Sequence, residues 1–213
     1  MKKTILLAAI VCFATFTYAQ SDKYTSAMKT NVAQLDSMMV KGNNADLTNN
    51  FTRIGDAEKT QWLPYYYAAY CTIMQALMDK DVSKKDAMAD KANDLITKAS
   101  TILGKDNSEI DVIKSMIATA HMTVDPASRY MTYGPEISEN IEKAKSLDPT
   151  NPRPYLLEAQ NKFYTPEAYG GGKDAAKPLF DKASQLFGSF KPASDISPDW
   201  GKAGLQYFMS QYK

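Results

Sequence analysis

The chain has 213 residues, 44% of them apolar and 23% charged, and its 25 lysines and arginines nearly balance 24 acidic residues, for a formal net charge of +1. Without a clustered positive excess it offers no nucleic-acid surface. A chain of this length buries one continuous core without needing separate domains.

Lys2 and Lys3 precede an apolar run from Ile5 to Phe16 that ends in Thr17-Tyr18-Ala19, which has the charge, length and small-residue ending of a secretory signal peptide. The expected division is a signal over 1–19, cleaved after Ala19 to leave Gln20 first, and a single helical domain over 20–213. The run falls short of the about 20 apolar residues that a membrane span needs, and no later run reaches its length, so no transmembrane segment is expected in the mature chain. Losing Lys2 and Lys3 leaves 23 basic against 24 acidic residues, a net charge of −1. Cys12 lacks a lipoprotein setting, because Val11 precedes it and further apolar residues follow. Cleavage then leaves Cys71 alone, read as a small apolar residue inside a helix, with an intermolecular disulfide or reactive thiol as the alternative.

The mature chain reads as helical throughout, with apolar residues at three-and-four spacing and no sustained alternation. Tyr24 to Val40 places Met28, Val32, Leu35 and Met39 on one stripe, and Gly42-Asn43-Asn44 breaks it. Asp46 can cap a second helix to about Glu58. Trp62 to Met78 is the most aromatic helix, with Pro64 in its first turn. A helix capped by Ser83 runs to Leu103 and ends at Gly104. Ser108 to Met122 follows. Asp125-Pro126 opens a longer connection containing Gly134-Pro135, and Glu136 to Leu147 is the next helix. Asp148 to Pro152 is a turn, since two prolines cannot continue a helix. Pro154 to Tyr164 and Lys173 to Phe187 flank Tyr169-Gly170-Gly171-Gly172, and Ser197 caps a last helix to Tyr212, with Pro198 in its first turn.

Three of these helices carry one spacing: Ala92, Ile96 and Ala99; Ile137, Ile141 and Ala144; Ala176, Phe180 and Ala183. A weaker copy is Leu47, Phe51 and Ile54. The helices ahead of the first and third copies also begin alike, with Pro64, Tyr65, Ala69 and Ile73 matching Pro154, Tyr155, Ala159 and Phe163. Ala99 to Ala144 is 45 residues and Pro64 to Pro154 is 90, two such periods. Repeats of this kind stack because no unit can bury its apolar face alone.

Together with Leu147-Asp148-Pro149 between units, these patterns resemble the tetratricopeptide repeat family over roughly Asp46 to Phe187. Lys114 departs from the pattern, standing where Ala69 and Ala159 stand in neighbouring units. The repeats also exceed the family period of about 34 residues, and the excess falls between the two helices of each unit. The long connections Thr123 to Pro135 and Thr165 to Gly172 are therefore expected along one edge, where they could shape a binding site, the alternative being lengthened helices and surface loops with no partner.

The resemblance implies an all-α, αα-superhelical solenoid of about three to four helix-turn-helix repeats plus a C-terminal helix. It also implies that the first helix of each pair lines a concave groove. On that basis the binding residues would be Tyr66, Tyr70 and Met74, then Asp111, Ser115 and Thr119, then Arg153, Gln160 and Tyr164. Tyrosine supplies contact area with a polar tip, and Arg153 could hold a carboxylate in two hydrogen bonds. Packing between helices is the alternative for the tyrosines.

Catalytic and metal constellations are thin. His121 with Asp125 could orient an imidazole near Ser115, yet a lone histidine near a helix end more often caps or packs. Asp79-Lys80-Asp81 lacks the ligands and glycine of a calcium loop, and zinc would need several Cys or His. Tyr169-Gly170-Gly171-Gly172-Lys173 opens a helix and could bind an anion through backbone donors, but lacks P-loop spacing. The expected function is therefore an exported, non-enzymatic adapter, working without cofactor or metal, that binds an unidentified envelope protein or peptide. The alternative is a small-molecule or solute-binding accessory protein of the envelope; a hydrolase using His121 comes third. Ala19-Gln20 resembles export signals of the Bacteroidetes group, which implies a periplasmic location.

Overall fold

The computed structural model describes residues 22–212, apart from the side chains of residues 39 and 40. The signal segment, its cleavage point, Cys12 and the side chain of Met39 lie outside the described residues. Among the described residues every regular element is helical: α1 (22–32), α2 (Met38–Lys41), α3 (Asn44–Ala57), α4 (Leu63–Met78), α5 (Lys85–Leu103), α6 (Ser108–Met122), α7 (Pro126–Leu147), α8 (Pro152–Tyr164), α9 (Lys173–Ser189) and α10 (Lys202–Ser210).

Local chemistry sets most of these ends. Gly42 and Gly104 stop α2 and α5 with φ of 66° and 68°, a left-handed conformation that costs glycine no Cβ clash. Side chains of Asn107, Asp125 and Asn151 accept amide hydrogens at the starts of α6, α7 and α8, and Pro64 sits in the first turn of α4.

Several boundaries differ from the sequence reading; α3 starts at Asn44, so Asp46 lies inside its first turn rather than capping it, and α8 starts at Pro152 rather than Pro154. The first helix breaks after residue 32 into a short 3-10 turn, Leu35–Ser37, where the Ser37 hydroxyl turns back onto the Gln34 carbonyl at 3.1 Å. Ser83 caps nothing: Asp81 takes both its amide and its hydroxyl hydrogen, and α5 starts at Lys85. The supposed connection after Asp125 is helix. Pro135 is carried inside α7 because Gly134 before it has no Cβ to meet the proline ring, and the carbonyl left without a donor belongs to exposed Met131. The last helix begins only at Lys202. Ser197 instead shares a hydroxyl bond with Ser194, and Gly201 turns the chain at φ 114°.

The helices pack in sequence, α3 on α4, α4 on α5, α5 on α6, α6 on α7, α7 on α8 and α8 on α9. Alternate helices also meet, α4 with α6 and α6 with α8, so α4, α6 and α8 form one layer. The spacing shared by α5, α7 and α9 marks their buried stripes: Ala92, Ile96, Ala99, Ile137, Ile141, Ala144, Ala176, Phe180 and Ala183 are all in the core. Burying such stripes supplies the main stabilisation of the fold. Tyr65 of α4 lies flat against Gly55 of α3, where a Cβ would stand 2.8 Å from the ring. One apolar cluster spans α1 to α7 and takes in Leu157, Ile196 and Trp200, while a second joins α8, α9 and α10 through Leu156, Phe180, Phe187 and Phe208.

Candidate functional site

Residues 190–201, between α9 and α10, have no helix and return across the α4–α6–α8 layer as a strap. The Tyr67 hydroxyl donates to the Ile196 carbonyl at 2.8 Å, Lys29 of α1 pairs with Asp195, and the Trp200 indole stacks on Tyr70 at 4.5 Å. Trp200 Nε1 donates to the Tyr66 hydroxyl at 2.8 Å, and that hydroxyl donates in turn to Glu109 Oε2 at 2.6 Å.

Glu109 is the hub beneath the strap. Besides Tyr66 it accepts from Asn151 Nδ2 at 2.7 Å and from Arg153 Nε at 2.8 Å and 3.0 Å, with Arg153 Nη2 also on Oε1. Arg153, only 1% exposed, lies under the rings of Phe190 at 4.6 Å and Trp200 at 5.7 Å. Its Nη1 has no hydrogen-bond partner among the described residues. Burial and the charge of Glu109 hold the Tyr66 phenol well above its usual range, so it acts as a neutral donor. A cavity of about 600 Å³ opens beside this hub, between the strap residues Phe190, Lys191 and Pro198 and the helix-end residues Trp62, Thr150 and Arg153. A smaller hollow of about 310 Å³ adjoins it along Asn107, Glu109 and Asp148.

The nine expected binding residues divide. Tyr66, Tyr70, Asp111, Ser115 and Arg153 are buried, Met74, Thr119 and Gln160 are half-buried, and Tyr164 is 70% exposed. The structure brings Tyr66, Tyr70 and Arg153 together around Glu109 and Trp200. Asp111 is elsewhere on α6, with Lys143 at 3.7 Å and Lys114 at 3.6 Å; burial raises its pKa, and both lysines oppose the rise. Ser115 Oγ is buried without a partner among the described residues. Tyr164 stands near Phe208 of α10 at 5.8 Å, in an aromatic group with exposed Tyr207.

Sequence reasoning missed Glu109, Trp62, Phe190 and Trp200. Glu109 reads as an ordinary first-turn acid of α6, and Trp200 lies outside the repeat. The one signal available was the pair of tryptophans in 213 residues.

The other candidate chemistries are taken up by structural contacts. His121 does not pair with Asp125: its Nδ1 meets Asp86 of α5 at 2.8 Å, its ring stacks on Tyr133, and Arg129 grips both oxygens of Asp86. Asp125 caps α7. In the glycine run the backbone donors are already spent, Gly170 on Glu167, Gly171 on Pro166 and Gly172 on Lys162. Burial pushes the Cys71 thiol up to about 12, which makes it unreactive at neutral pH.

The solved structure of the HusA haemophore from Porphyromonas gingivalis is 35% identical to this chain, covering 89% of it and 92% of that protein, with a TM-score of 0.79. The chain belongs to the family of that protein. No family model and no curated protein matches it. Membership bears out the all-helical reading, and the relative comes from the group whose export signals the first residues resemble. A haemophore is a binding protein, as the non-enzymatic reading expected. No described helix is long and apolar enough to cross a membrane.

Proposed function

We propose that this protein is an exported, non-enzymatic carrier that binds haem or a closely related flat tetrapyrrole on its α4–α6–α8 face, a tetratricopeptide-like solenoid surface, in the periplasm behind a signal cleaved after Ala19. The observation that carries the reading is 35% identity across 92% of a haemophore. The site chemistry fits such a ligand. A cavity of about 600 Å³ walled by Trp62 and Phe190 suits a planar ring system, and the unpartnered Arg153 Nη1 suits a ligand that also carries acceptors. This is the solute-binding alternative of the sequence reading.

The adapter reading takes second place because the strap already lies across this layer through Tyr67, Tyr70 and Tyr66. A partner segment would have to displace it. Titration of haem into the protein, followed at the Soret band, tests the proposal: saturable binding at one haem per chain is expected, and a spectrum equal to that of free haem at every ratio rejects it.

A further inference from the structure

The cavity under the strap holds a buried guanidinium whose donors are unequally used. Arg153 Nε and Nη2 are on Glu109, whereas Nη1 has no partner among the described residues. Burying a charged donor without a partner is costly, so an acceptor that reached this buried nitrogen would relieve that cost. Phe190 covers the face of the guanidinium at 4.6 Å, which leaves its edge as the line of approach. Lys191, exposed at the cavity rim, adds a second cation, and Trp62 and Phe190 both line the cavity.

We propose that this cavity is a carboxylate subsite: the acid groups of the ligand are held at Arg153 Nη1 and at Lys191, with the apolar body between Trp62 and Phe190. This rests on the haem-binding reading and specifies which end of the ligand enters. Charge in the lining supports a carboxylate over a phosphate. Glu109 and Asp148 offset Arg153 and Lys191, so one compact, singly charged acceptor per cation is accommodated, while a doubly charged group would face two carboxylates.

The test compares haem with haem dimethyl ester, in which both carboxylates are capped. Each is titrated into the protein and followed by quenching of tryptophan emission. The chain has two tryptophans, and both report on this place: Trp62 lines the cavity and Trp200 lies over Arg153. Haem should bind at least about tenfold more tightly than the ester, and Lys191→Met should narrow that gap at unchanged helix content. Arg153→Lys, which keeps the charge and loses Nη1, should narrow it further. If that variant fails to fold, the ester comparison and Lys191→Met still decide. Equal affinity for acid and ester overturns the subsite and leaves haem binding standing. Binding of neither overturns both.

Discussion

Glu109 accepts hydrogen bonds from Tyr66, Asn151 and Arg153 in one buried cluster, so removing it takes the acceptor from three residues at once. Buried pairs gain little over an apolar replacement of the whole set, but breaking one side leaves an uncompensated charge. Glu109→Ala should therefore destabilise the protein by about 3–5 kcal/mol in urea unfolding, and a loss under about 1 kcal/mol would show that the hub is solvated instead. Tyr66→Phe is milder: it removes one hydroxyl that serves Glu109 and Trp200, with an expected cost of about 1–3 kcal/mol. Arg153 was legible as a carboxylate-binding residue from its place at the start of α8, but not that an internal carboxylate would take two of its nitrogens. Glu109 lies 44 residues away along the chain, and no local spacing rule links the two.

Helix contacts in this protein follow the small residues of the repeat, and one glycine shows how tightly. Gly55 in α3 has ordinary helical backbone, and its role is close approach, with Tyr65 lying where a Cβ would point. Gly55→Ala would normally strengthen a helix, but here it should cost about 1–3 kcal/mol through overpacking. A thermal melt checks this, and a raised Tm would mean that Tyr65 moves aside freely. The junction of α5, α6 and α7 is electrostatic instead. Hydrogen bonds from Arg129 and His121 hold the Asp86 carboxyl down at about 2, below the about 3.9 of an unfolded chain. In the window from about pH 4 to pH 2 the unfolded state binds more protons at this site, so its stabilisation is present above that window and lost as pH falls through it. Asp86→Asn should flatten the acid limb of stability between those values; an identical acid limb would refute the assignment. Helix order and buried stripes were legible because spacing alone encodes them. The continuity of α7 was not, since Gly134-Pro135 reads as a break until one sees that the affected turn lies at exposed Met131.

At the scale of the molecule, the repeat predicts an open face on α4, α6 and α8, whereas the chain lays its own strap over one end of it. No periodic pattern announces residues 190–201, because an irregular segment is placed by what its side chains touch rather than by its own spacing. The contacts are few and specific: Ile196 and Trp200 belong to the cluster of α1 to α7, while the flanking α9 and α10 belong to the other cluster with α8. The strap is thus one of the joints by which the two apolar clusters cohere, alongside Leu157 of α8. Trp200 is buried in that joint, at 7% exposure, stacked on Tyr70 and bonded to Tyr66. Trp200→Ala should cost about 3–5 kcal/mol by the usual penalty for emptying a large aromatic site. Because the loss falls on the joint, amide exchange should accelerate more in α10 than in α4, as a sub-global opening of the C-terminal cluster. Equal acceleration in both helices would mean that the two clusters unfold as one cooperative unit and that Trp200 stabilises the whole rather than the junction.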